Sequence, residues 1–175
     1  MKVFFDATVL AGALINPTGP NARLLDLASM GGPLRGATSD VVALEFLRHA
    51  ADGTFGGVRY DLSDIQAFFD AYEPLFEIAQ APIGRALPQR TDLHNLPIGE
   101  IVFHLTGETR ESLLSNLPDQ PTLRDFDVHD LHVVATAAQI DADAICTSDA
   151  DFQEPIGTMD IYRPARLAHE LGLLT

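Results

Sequence analysis

The 175-residue sequence has a single cysteine, a single lysine, and no apolar run of the roughly 18 to 20 residues that a membrane span needs. One cysteine excludes an intramolecular disulfide and a thiolate metal cluster. Within Ala144-Ile145-Cys146 it reads as a small core residue. The N-terminus lacks the basic, apolar, small-residue layout of a secretory signal, so a cytoplasmic protein is expected. Positive charge is also scarce: 11 basic residues face 25 acids, for a formal net charge of -14. Gripping duplex nucleic acid by phosphate neutralisation calls for a basic surface, which argues against a broad duplex binder. A narrow channel with a few arginines stays open, particularly if bound cations offset clustered acids, and so does docking of a basic partner.

The composition that is present, 46% hydrophobic and 21% charged, is that of an ordinary globular chain. Its length suits one domain with a substantial core, here taken as residues 1–175. Lys2-Val3-Phe4-Phe5 predicts a buried parallel strand that ends at Asp6. A turn over Asn16 to Asn21 precedes a helix from Ala22 to Met30, which Gly31-Gly32-Pro33 stops. Leu34 to Ser39 predicts a second strand, and Ser39 caps a helix from Asp40 to Ala50. Ser63 and Gln66 have capping-box spacing for a helix through Tyr72, and Leu75 to Ala79 reads as a third strand. From Ala81 to Pro121 the chain carries five of its 11 prolines, with one helix expected between Pro97 and Leu117. Residues 53–121 are read as an elaboration of the same domain. After Asp130, the spacing of Leu131, Val134, Ala135 and Ala138 predicts a helix. Ala144 to Thr147 and Met159 to Tyr162 read as strands, and Pro164 opens a helix to about Leu173. Strands alternating with helices predict a three-layer α/β/α sandwich around a central, mainly parallel sheet, with function at the carboxyl ends of the strands.

Four acids fall where that rule puts chemistry. Asp6 ends the first strand, Asp149 follows the strand from Ala144, Asp130 lies at a helix N-terminus, and Glu45 interrupts the apolar run Val41-Val42-Ala43-Leu44. Carboxylates brought together raise one another's pKa unless a cation intervenes, and oxygen-only ligand sets favour Mg²⁺ or Mn²⁺. Such ions can activate water and stabilise charge on a phosphodiester. Each acid alone has a plainer reading: Asp6 as a solvated strand end, Asp130 as an N-cap, Asp149 as a turn former, Glu45 as an exposed helix position.

Four segments together, Phe4-Phe5-Asp6-Ala7-Thr8-Val9-Leu10, Ser39-Asp40-Val41-Val42-Ala43-Leu44-Glu45, His129-Asp130-Leu131-His132-Val133-Val134-Ala135-Thr136-Ala137 and Cys146-Thr147-Ser148-Asp149-Ala150-Asp151-Phe152, resemble the PIN-domain family, which includes the VapC-like toxins of toxin–antitoxin pairs. The resemblance covers most of the chain but not the stretch from Gly53 to Pro121, where this protein is longer than a minimal toxin. It implies a PIN-like fold and a ribonuclease whose acidic quartet falls on Asp6, Glu45, Asp130 and Asp149, with Asp151 as an additional ligand or a turn cap. It further implies Mg²⁺ or Mn²⁺ as cofactor, an RNA substrate cleaved to leave a 5′-phosphate, a homodimer, and a small antitoxin protein as partner. Thr8 stands where the family usually has Asn or Ser, while Thr147 and Ser148 match the hydroxyl pair before the last acid. Asp127, three residues before Asp130, competes with it for the third place; Asp130 is preferred because the helix is expected to begin directly after it.

Among the other residues, His129 and His132 share a helix face without the His-Glu-x-x-His arrangement of zinc hydrolases, so zinc is not expected and His132 is read as packing at a helix flank. Arg23, Arg48 and Arg124 are candidate phosphate contacts, each with a solvated or ion-paired alternative. Phe68, Phe69, Tyr72, Leu75 and Phe76 form an apolar cluster read as core, which a partner helix or second subunit could also use. A haloacid-dehalogenase-like phosphatase is a poor fit: position 8 is Thr where a second Asp is needed, and no Lys follows Lys2. A receiver domain fails on the same missing lysine. The rival from another class is a catalytically degenerate PIN-like module that works by binding a protein partner or RNA, which the strong negative charge suits.

Overall fold

The computed structural model describes residues 1–53, 56–72, 77–79 and 96–174. Five strands, β1 (Lys2–Phe5), β2 (Arg35–Ser39), β3 (Glu77–Ala79), β4 (Ala144–Cys146) and β5 (Asp160–Tyr162), form one sheet in the order β3-β2-β1-β4-β5. Every pairing is parallel. Helices cover the sheet in the expected three-layer α/β/α arrangement: α1 (Ala7–Ile15), α2 (Pro20–Ser29), α3 (Asp40–Asp52), α4 (Leu62–Tyr72), α5 (Ile98–Thr106), α6 (Arg110–Asn116), α7 (Val128–Gln139) and α8 (Pro164–Glu170). Helix α2 packs on both α1 and α8, α5 and α6 pack on α7, and α3 touches both α1 and α5. No described helix is long and apolar enough to cross a membrane.

The centre of the sheet is dry. Val3, Phe4 and Phe5 of β1 and all of β4 are fully buried, as parallel strands covered on both faces must be. Each large side chain in that layer contributes about 1.5 to 3 kcal/mol by leaving water. Register places Phe5 beside Cys146 and Phe4 beside Ala37, so β1, β2 and β4 end at one rim. Cys146 is a core residue, as expected, and burial pushes its thiol pKa up, which removes it as a nucleophile at neutral pH.

Several elements differ from the sequence expectation. Helix α1 was not anticipated; it begins immediately after Asp6 and buries Ala7, Val9, Leu10, Ala11 and Ala13. Its sequence is apolar nearly all round, so it shows no amphipathic stripe. Helix α4 begins at Leu62, before the expected cap. The carbonyl of Asp61 accepts from the amides of Asp64 and Ile65, so Ser63 lies inside the first turn instead of forming a capping box. The single helix expected between Pro97 and Leu117 is two, because Gly107 takes a left-handed conformation (φ 74°) that ends α5, and Thr109 then caps α6. Of the strand expected over Leu75 to Ala79, residues 77–79 are β3; Leu75 and Phe76 lie outside the described residues, as does most of the proline-rich stretch. Phe68, Phe69 and Tyr72 do form an aromatic cluster, packed on Phe46 of α3.

Candidate metal centre

Asp6 follows the last residue of β1 and occupies the N-cap place of α1 without capping it. Its carboxylate is instead held by two hydroxyls, which donate to the same oxygen, Oδ2: Thr8 Oγ1 at 2.9 Å and Thr147 Oγ1 at 2.8 Å. The amides of Ser148 and Asp149 in turn donate to the Thr8 and Thr147 hydroxyls, both at 2.9 Å. The loop after β4 is thereby stitched to the start of α1, with Thr8 and Thr147 both supporting Asp6. Ser148 joins through its backbone. Burial raises the pKa of Asp6, with the charge of Glu45 adding to the rise and His129 opposing it.

Glu45 reaches the same place from α3, a helix that Ser39 starts by accepting from the Val42 amide and that Gly53 ends in a left-handed conformation. Its partner is a residue to which the sequence assigned no role. His129, on α7 and 6% exposed, brings Nε2 to 2.6 Å from Glu45 Oε2. The contact is a close charge pair, and among the described residues neither atom makes a well-aligned hydrogen bond although both are buried. Burial alone would raise Glu45, but the contacts with His129 and His49 outweigh it and hold the carboxyl down at about 2. Burial alone would lower His129, but Glu45 first, then Asp6 and Asp130, raise it to about 9.

Asp130 belongs to an adjoining group. Helix α7 begins at Val128, three residues earlier than the preference for Asp130 assumed. Its cap is Asp127, whose Oδ1 accepts from the amides of His129 at 2.7 Å and Asp130 at 2.9 Å. Asp130 therefore lies in the first turn, where burial and then the charge of Asp127 raise its pKa to about 7, with Asp149 and Asp6 adding to the rise.

Two sets of ligand atoms lie close enough together to hold a metal ion: Asp6, Glu45 and His129, and Asp127, His129 and Asp130, each within 4.8 Å of one another. The expected quartet is thus divided. Asp6 and Glu45 converge directly, Asp130 is joined to them through His129, and Asp149 stands in the loop beyond. Asp149 Oδ1 accepts from the Asp151 amide at 2.9 Å, and Asp151 is exposed, so that part of the loop forms its own turn. Arg163, which the sequence marked only as a strand-to-helix junction, braces this loop by donating to the carbonyls of Thr147, Asp149 and Phe152.

The candidate phosphate-binding arginines part company. Arg23 donates to the carbonyls of Thr18 and Leu173, and Arg124 is paired with Asp119 at 2.9 Å on the surface. Arg48, one turn on from Glu45, is half-buried, and its buried Nε has no hydrogen-bond partner among the described residues. His132 is buried, with Nε2 3.2 Å from Thr136 Oγ1 one turn along α7. Comparison with known proteins finds no matching family model, no similar curated protein and no similar solved structure.

Proposed function

We propose that this chain is a metal-dependent nuclease that hydrolyses phosphodiester bonds in RNA. The observation that carries the reading is the convergence of Asp6, Glu45 and His129, from β1, α3 and α7, at the carboxyl end of a parallel sheet, with Asp130 adjoining. This is where open α/β sheets place ligands. The donor set fits a divalent ion: three buried or partly buried ligand atoms lie close together, two of them without a hydrogen bond, and the acids repel one another when charged. Asp6 and Glu45 would hold Mg²⁺ or Mn²⁺, with Asp130 and Asp149 extending the acidic rim toward substrate. A bound ion of this kind lowers the pKa of water and offsets the charge that builds on a phosphate under attack.

The protein's own contribution is orientation. Thr8 and Thr147 fix the Asp6 carboxylate, Arg163 holds the loop that carries Asp149, and Arg48, one turn on from Glu45, would be available to a substrate phosphate. RNA as the substrate, and a role as the toxin of a toxin–antitoxin pair acting as a homodimer beside a small antitoxin, rest on the likeness of four sequence segments to PIN nucleases. In support of the rival reading, a binding module, stands the net charge of -14.

Cleavage of a labelled mixed RNA pool, with and without Mn²⁺, tests the assignment on wild type and on a variant carrying Asp6→Asn and Asp130→Asn. Metal-dependent cleavage that falls by about 1,000-fold or more in the variant is expected, since such ions supply several kcal/mol to the transition state. Absence of cleavage by either protein, together with absence of metal binding, would favour the binding module. Growth arrest on expression, relieved by a small co-expressed partner, is the expected outcome for a toxin.

A further inference from the structure

We propose that His129 is itself a metal ligand, so that Asp6, Glu45 and His129 form a mixed nitrogen–oxygen site that prefers Mn²⁺ and other first-row transition ions to Mg²⁺. The inference rests on the metal-centre reading above and changes its donor set from carboxylates alone.

Three observations carry it. His129 is 6% exposed, and its Nε2 is a buried polar atom without a hydrogen bond, an expensive condition for an imidazole unless something else occupies that direction. Glu45 Oε2, the atom it faces at 2.6 Å, is also buried without a hydrogen bond. A simple buried ion pair would aim the N–H along the contact; here the contact is close without that alignment, and a ligand atom of Asp6 lies within 4.8 Å of one on each of Glu45 and His129. Neighbouring ligands bonded at roughly 2.0 to 2.2 Å to one ion stand roughly 3 Å apart, so a small shift accommodates it. Asp127 and Asp130 also each bring a carboxylate oxygen within 4.8 Å of a His129 nitrogen. Carboxylates in that relation orient a ligating imidazole and raise its basicity. Ligation uses the neutral ring, so the proton carried by the metal-free imidazole passes to solvent as the ion binds. Imidazole is a softer donor than carboxylate and weights the site toward Mn²⁺, Co²⁺ or Zn²⁺ over Mg²⁺.

The test is pulsed electron paramagnetic resonance of Mn²⁺ bound to the whole protein. Wild type is expected to show modulation from a directly coordinated ¹⁴N that changes when the protein is made with ¹⁵N-histidine, a comparison that needs no substitution. The coupling should vanish in His129→Gln and persist in His49→Asn, which removes the other histidine beside Glu45. Mn²⁺ should also bind wild type at least tenfold more tightly than Mg²⁺. Bound Mn²⁺ without nitrogen coupling, or coupling lost in His49→Asn instead, would overturn the assignment while leaving a carboxylate metal centre intact. Failure of wild type to bind Mn²⁺ would overturn both readings.

Discussion

His129 and His132 sit one turn apart on α7, both 6% exposed, yet the structure drives them in opposite directions. His129 faces the rim of the sheet, where Glu45, Asp6 and Asp130 raise its pKa to about 9 against the pull of burial. His132 faces a cleft of about 470 Å³ that Thr106, Leu113, Leu117, Ala135 and Thr136 help to line. There burial first, and then the charge of His129, lower its pKa to about 4. Burial penalises both rings; only neighbouring carboxylates reverse the penalty. One helix therefore has a face where neighbouring carboxylates hold charge on a histidine and a face where burial opposes it. The first is the candidate site, and the second is structural packing.

The largest effect on this contrast should come from Glu45→Gln in metal-free protein, which leaves His129 without its nearest counter-charge. Removing one partner of a buried pair costs about 3 kcal/mol, readable by urea unfolding. The pH dependence has a definite sign. The raised His129 contributes stability that is complete below 6.5 and lost as pH rises through about 9. The lowered Glu45 contributes stability that is complete above 4.5 and lost as pH falls through about 2. The variant should therefore differ most from wild type near pH 6, and much less at pH 9.5. An equal loss at both values would mean that the pair's charge is not what holds α3 to α7.

Next in size, Asp130→Asn should stabilise the metal-free protein by roughly 2 kcal/mol at pH 8. The folded Asp130 keeps its proton up to about pH 7, whereas the unfolded chain loses it near 3.8, so wild-type stability falls as pH rises across that window. The gain should disappear at pH 4, and saturating Mn²⁺ should reverse it by favouring wild type. Thermal melts at the two pH values, with and without metal, check both statements.

The smallest effect belongs to the other face. The unfolded chain protonates His132 near 6.5 while the folded chain resists until about 4, so this group costs wild type stability as pH falls between those values. His132→Asn should remove that part of the slope, worth on the order of 1 kcal/mol by pH 5. A slope unchanged by the substitution would place the acid sensitivity elsewhere.

Much of this organisation was legible in the chain. The wholly apolar stretches that end at Asp6 and precede Asp149 mark central parallel strands, and Ser39 and Gly53 mark the ends of α3 through cap chemistry. Helix α1 was not legible, because Ala-Thr-Val-Leu-Ala-Gly-Ala-Leu-Ile has no polar face to set a period. The start of α7 differs from expectation by three residues because Asp127 and Asp130 are both plausible caps, and only the hydrogen bonds to the His129 and Asp130 amides decide between them. Arg163 shows no signal in sequence, since its partners are backbone carbonyls.

Sequence alone determined the succession of the strands, several of the helices, the parallel α/β architecture, and the placement of Asp6 at a strand end and Glu45 on α3, because apolar periodicity and capping are local properties. Tertiary structure alone decided that His129 stands close to both groups of acids, and that Arg48 rather than Arg23 or Arg124 has a buried nitrogen without a hydrogen-bond partner among the described residues. Those outcomes depend on which elements meet across the sheet, and proximity between residues distant in sequence is set by packing rather than by the local pattern around either residue.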